Sequence, residues 1–114
     1  MASQQSTVDF ILEQAAAAAP SARRMFGEYA VYCEGRTVAL VCDDRLYLKP
    51  THAGREKLTS VVEAHPFPGA KPWLLVEGDL WDDGDALAAL FRATAAALPP
   101  PKPKRPRRRR APAP

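Results

Sequence analysis

The chain has 114 residues, 16 Lys and Arg against 13 Asp and Glu, 2 Cys and 46% hydrophobic residues, which is the size and balance of a single domain. Its longest runs free of charge, such as Gln14 to Ala22, fall far short of the ~20 apolar residues that span a bilayer, so no transmembrane helix is expected. The opening MASQQSTVDFILEQ has no basic n-region and sets Asp9 and Glu13 among its apolar residues. It does not read as a secretory signal, and a cytoplasmic location is expected.

Charge divides the chain in two. Pro99 to Pro114 holds seven basic residues (Lys102, Lys104, Arg105, Arg107, Arg108, Arg109, Arg110), seven of the twelve prolines and no acid. Such a segment has no apolar surface to offset the entropy of ordering it, and it is expected to be a disordered tail. Residues 1–98 keep nine basic residues and all thirteen acids, a net charge of −4. They can bury something over ~60% of their unfolded surface, enough for a two-layer core without disulfides or metal.

Ser6 or Thr7 is placed to cap a first helix in which Val8, Ile11, Leu12 and Ala15 recur at helical spacing. The alanines 15–19 favour its continuation to about residue 19, where Pro20 stops it. From Arg24 to Lys49 the texture becomes Tyr, Val, Leu, Cys and Thr, broken by Glu34-Gly35 and Asp43-Asp44, the pattern of a three-stranded antiparallel meander. Two-residue turns at these sites set Cys33 opposite Arg36, Val31 opposite Val38, Tyr29 opposite Leu40, Val41 opposite Leu46 and Leu40 opposite Tyr47. Both faces of such a sheet are largely apolar, so cover on both sides is expected, from helices or from a partner chain.

Thr51 is a cap for a short helix reaching about Thr59, anchored by Leu58 and weakened by Gly54. Val61 to Glu63 suits an edge strand, HPFPGAKP a loop, Trp73 to Glu77 a fifth strand and Gly78-Asp79 a turn. Asp82, Asp83 and Asp85 then complement the N-terminus of a helix over about 83–97, with Leu87, Leu90, Phe91, Thr94 and Leu98 on one side. The sum is an α+β domain of order α-β(3)-α-β(2)-α, with one mostly antiparallel sheet packed by helices.

Catalytic chemistry finds little footing. In the register above Cys33 and Cys42 share a face but lie roughly 20 Å apart along the strand at ~3.4 Å per residue, against the ~7 Å that a disulfide tolerates between Cα atoms. Both read as small buried hydrophobes. His52 and His65 form no ligand pair with each other or with the cysteines, and neither sits in a nucleophile motif. The acids Asp79, Asp82, Asp83 and Asp85 lack the spacing of a calcium loop, and no phosphate-cradling glycine motif is present. No enzyme activity, metal, cofactor or small-molecule substrate is expected.

Two features remain. The seven cations between Lys102 and Arg110 would attract any polyanion; engaging all of them on duplex DNA gives a salt slope of about −6, with little sequence preference. The alternative is a solvated appendage. Phe67, Trp73 and Trp81 surround the fifth strand, either as core or as anchors for a partner, since aromatic residues beside a Pro-rich loop commonly fill pockets across interfaces.

The segment Arg23-Arg24-Met25-Phe26-Gly27-Glu28-Tyr29, followed by Val31-Tyr32-Cys33-Glu34-Gly35 and by Ala39-Leu40-Val41-Cys42-Asp43-Asp44-Arg45-Leu46-Tyr47-Leu48-Lys49, resembles the N-terminal domain of the TfoX (Sxy) competence regulators. The R-x-M-F-G start and the D-[DN]-x-L-Y-L-K ending are its most specific parts, and the loop Pro66 to Trp73 is similar to that of stand-alone members. The likeness covers about residues 5–97. It implies the same α-β(3)-α-β(2)-α fold, similar to type III secretion chaperones. The implied role is a small non-enzymatic regulatory or protein-interaction domain, which in the regulators acts on transcription of DNA-uptake genes. Two departures stand out: Glu28 occupies the place of a second glycine, and the basic tail stands where the regulators carry a helical domain. Within the motif, Met25 and Phe26 are expected to enter the first strand as core, Gly27 to permit a bulge, and Arg24 to pair with an acid of the meander. A protein partner or self-association is expected, with non-specific nucleic acid binding through the tail as the alternative.

Overall fold

Wholly buried Val8, Ile11 and Ala15 fix the inward face of α1 (Gln5–Gln14). The computed structural model describes residues 3–25, 28–58 and 61–99. The alanine run does not carry α1 onward: it tightens into a 3-10 turn (Ala16–Ala18) and ends on Ala19 in the left-handed region at φ 50°. The ring of Pro20 bars the preceding residue from helical backbone, so the helix must close before it.

Four strands follow, one more than the meander expected: β1 (Ser21–Met25), β2 (Glu28–Cys33), β3 (Arg36–Cys42) and β4 (Arg45–Leu48). Both hairpin turns fall where expected, with positive φ at Glu34, Gly35, Asp43 and Asp44, the geometry whose twist matches the flanking strands. After Thr51, whose Oγ1 accepts from Gly54 N at 2.9 Å, come α2 (His52–Lys57), β5 (Glu63–Ala64), β6 (Trp73–Val76), α3 (Gly78–Trp81) and α4 (Gly84–Ala97). The expected edge strand is thus β5, displaced toward Ala64, and the expected turn at Gly78-Asp79 is the single-turn α3. Asp83 caps α4 by accepting from Ala86 N at 3.1 Å. The strands form one open antiparallel sheet of order β1-β2-β3-β4-β6-β5, so the domain is α+β.

One bulge reassigns the faces. Cys33 pairs with Arg36 and Val41 with Leu46, as expected, but the register shifts between Val31 and Tyr32, so Val31 meets Ala39 and Tyr29 meets Val41. Val38 is the extra residue, and Leu40 lies between Ala30 and Tyr47 instead of two tyrosines. Consequently Tyr29, Val31, Cys33, Ala39, Val41, Leu46, Leu48, Leu74 and Val76 pack with α1 and α4 in the main core. Ala30, Leu40, Cys42 and Tyr47 face the other way, joined by half-buried Tyr32, Ala64, Trp73 and Leu75. The cysteines therefore lie on opposite faces, both as free thiols.

Among the described residues the helices cover one face only. Leu87, Leu90, Phe91, Thr94 and Ala95 of α4 are buried, and Thr94 satisfies its hydroxyl by donating to Leu90 O at 2.8 Å. Gly54, read from sequence as a weakness of α2, is what lets it approach: a Cβ there would meet Leu48 Cδ2 at 3.0 Å and Thr94 Oγ1 at 3.2 Å. Trp81 is tied to the sheet by donating from Nε1 to Val76 O at 3.1 Å, and its own carbonyl accepts from Gln14 Nε2 at 2.8 Å.

Candidate docking surface on the helix-free face

The first link is made at the N-terminus of α1, which the structure caps from across the chain. Ser6 and Thr7 are not its caps; they lie inside the helix, and Gln4 at the cap position makes no side-chain capping bond. Instead the Asp44 carboxylate accepts from Gln4 N at 2.8 Å and from Thr7 Oγ1 at 3.0 Å, so a β-turn acid does the work of a local cap. Behind it the Glu28 carboxylate accepts from Ser3 N at 2.8 Å, Ser3 Oγ at 2.7 Å and Asp43 N at 3.2 Å. Ser3 Oγ in turn accepts from Asp44 N at 2.9 Å. Glu28 is thus committed to holding the N-terminal segment against the β3–β4 turn.

That same Glu28 forms one wall of a cavity of about 340 Å³ on the helix-free face, lined also by Met25, Tyr29, Leu40, Cys42 and Phe67. Its lining is otherwise apolar. Phe67 reaches it from the loop between β5 and β6, two strands away from Leu40 and Cys42 in β3, a distance of about 10 Å at the usual strand separation. The loop keeps its shape through buried Pro66, a positive φ of 86° at Gly69, and a short bond of 2.7 Å in which His65 Nδ1 donates to Ala70 O. Phe67 remains 52% exposed and Met25 39% exposed, two large apolar side chains left half in water at the rim.

Met25 was expected in the core, and its exposure follows from β1 being an edge strand on which it points to the helix-free side, opposite Glu28. Phe26 and Gly27 lie outside the described residues. Arg24 meets an aromatic ring instead of an acid, its guanidinium carbon 5.7 Å from the centre of Tyr29. Of the three aromatic anchors read from sequence, Phe67 and Trp73 lie on the helix-free face, the latter with Lys49 Nζ 5.8 Å from its ring centre, while Trp81 packs on the helical side. The basic residues Lys102, Lys104, Arg105, Arg107, Arg108, Arg109 and Arg110 lie outside the described residues.

Chemically the cavity offers apolar walls with a single carboxylate, that of Glu28. Burial first, then the charges of Glu28 and Asp43, push the Cys42 thiol up to about 11, so it is a neutral wall at ordinary pH. Cys33 is likewise raised, chiefly by burial. Among the described residues no three His, Cys, Asp or Glu gather as a metal site, and no helix is long and apolar enough to cross a membrane. Sequence reasoning did not bring Leu40, Cys42, Met25 and Phe67 together, because the bulge and β1 were both hidden from it.

An open antiparallel sheet whose described helices all lie on one side, with a loop and an apolar pocket on the other, defines a small α+β domain with one helix-free sheet face. The TfoX N-terminal domain family matches residues 13–98, and the chain belongs to that family. A protein of Spirochaeta aurantia, described as an uncharacterized 12.7 kDa protein in the trpE 5′ region, is 42% identical over 103 residues, covering 87% of this chain and 86% of that one.

Proposed function

We propose that this chain is a small non-enzymatic regulatory domain of the cytoplasm that acts by binding a protein through its helix-free sheet face. The observation that carries this reading is the apolar pocket of Met25, Leu40, Cys42 and Phe67, rimmed by two half-exposed apolar side chains on the face that no helix covers among the described residues. Membership of the TfoX N-terminal family supports a role in controlling transcription, as in the competence regulators the sequence resembles. The test is affinity capture by the full chain, by Phe67→Glu on the pocket rim, and by Arg92→Glu on the exposed side of α4. The reading expects a protein retained by the wild type and by Arg92→Glu but lost from Phe67→Glu. Equal retention by the wild type and both variants would refute it.

A second reading rests on the composition of the tail. Seven cations from Lys102 to Arg110 supply non-specific affinity for nucleic acid in an accessory protein. Anisotropy of a labelled duplex, titrated with the full chain and with residues 1–98 at two salt concentrations, separates the two. Submicromolar binding at physiological salt that disappears with the tail favours the second reading.

A further inference from the structure

β1 forms one end of the sheet, and among the described residues its outer side pairs with no other strand. The opposite end is β5, only two residues long. An exposed edge of five residues presents a row of backbone donors and acceptors to any extended chain, and proteins commonly blunt such edges with charge. Here the charges are Arg23 and Arg24, both exposed, and among the described residues neither is paired with a carboxylate.

Two arginines select what can pair. Antiparallel pairing of β1 with a second copy along its whole length is centred on Arg23 and sets that residue against itself, and like charges directly opposite destabilise a ladder. A second copy is therefore disfavoured, and an acidic strand is favoured. The pairing of Met25 with Glu28 and of Arg23 with Ala30 sends both side chains to the helix-free face, whereas Arg24, paired with Tyr29, points to the helical side. Met25 lines the apolar pocket. Arg23 lines a second, polar groove of about 330 Å³ with Ser21, Tyr32 and Glu34. Both openings thus border β1, two residues apart, about 7 Å along the strand, the spacing of alternate side chains in an added strand.

We propose that the edge of β1 takes an extended acidic peptide segment as a seventh strand. Its apolar side chain enters the pocket beside Met25 and Phe67, the next residue sets a carboxylate at Arg24, and the one after it sets a carboxylate at Arg23. Main-chain hydrogen bonds supply affinity in this mode, and the pocket and arginines supply selection. The inference rests on the protein-binding reading and names the chemistry of the partner.

The test is a chemical-shift titration of the isotope-labelled full chain with the synthetic peptide acetyl-Thr-Val-Leu-Glu-Glu-Val-Thr-amide. Two controls accompany it: the peptide with both Glu replaced by Lys, and the Glu peptide N-methylated on the backbone nitrogens that would face β1. Saturable shifts of the Ser21–Met25 amides are expected, with binding weaker by about tenfold or more for either control. Arg23→Glu combined with Arg24→Glu is expected to reverse the preference toward the Lys peptide while the circular dichroism spectrum is unchanged. Equal binding of the Glu and Lys peptides, or no saturable shift in β1, overturns the proposal. Shifts near Phe67 with none in β1 overturn strand addition alone, whereas failure of the protein-binding reading itself is read separately from capture by Phe67→Glu.

Discussion

The two faces of the sheet are built from the same residue types and end under different cover. On the helical side Val31, Val41, Leu46, Leu48 and Leu74 are wholly buried under α1 and α4. On the other side Leu40, Cys42 and Tyr47 are buried as well, but beside a pocket, with a proline-rich loop and half-exposed Phe67 in place of a helix. Apolar composition alone therefore does not say which face is scaffold. What distinguishes them is the cover, since a packed helix fills its side of the sheet while a loop leaves room for something else.

Truncating one leucine on each face measures the difference in their packing. Leu48→Ala opens a cavity between β4, α2 and α4 and is expected to cost stability near the upper end of the ~2–5 kcal/mol range for such changes. Leu40→Ala adjoins an existing pocket under a loop that can settle, and is expected near the lower end of that ~2–5 kcal/mol range. Urea denaturation of both variants measures the difference, and equal costs would mean that the two faces are equally rigid.

Next in size is Gly84→Ala, which tests how tightly the helical layer is joined. A Cβ at residue 84 would stand 2.5 Å from the Gln14 carbonyl oxygen, a backbone atom at the end of α1. Relief requires α4 to move away from α1, and a loss of about 1–3 kcal/mol is expected in the same denaturation experiment. Asp44→Ala sharpens the link between sheet and helix: it removes the acceptor for Gln4 N and Thr7 Oγ1, with an expected cost of about 1 kcal/mol. The two thiols give the smallest effect. Their folded-state values are raised, so the neutral forms contribute stability that is fully present below about pH 9 and is lost as pH rises toward the value of about 11 held by Cys42. Alkylation at pH 8 is expected to modify neither cysteine in the folded protein and both in denaturant.

Much of this fold is local in origin and can be read directly from sequence. The Thr51 and Asp83 caps, the positive-φ turns at Glu34-Gly35 and Asp43-Asp44, and the helical stripe of Leu87, Leu90, Phe91 and Thr94 each depend on residues within a few positions of one another. Those features are legible for that reason. β1 escapes notice because its sequence, SARRM, carries two arginines and no apolar alternation, being an edge strand stabilised by its neighbour. The bulge at Val38 escapes because nothing local demands it, yet it moves Cys42 and Leu40 to the face opposite Cys33. The pocket depends on both features and on a loop residue 25 or more positions away from either β2 or β3, so only Phe67 of its lining was a candidate from sequence. Likewise Asp44 reads as a turn residue until the structure brings the start of α1 to it.

The proposal places the partner on the helix-free face of the sheet and not on the helical one. Photo-crosslinking in living cells tests it directly, with p-benzoylphenylalanine placed at Phe67 in one strain and at Arg92 in another. A covalent adduct of defined mass is expected from position 67 and none from position 92. Adducts from position 92 alone, or none from position 67, would contradict it.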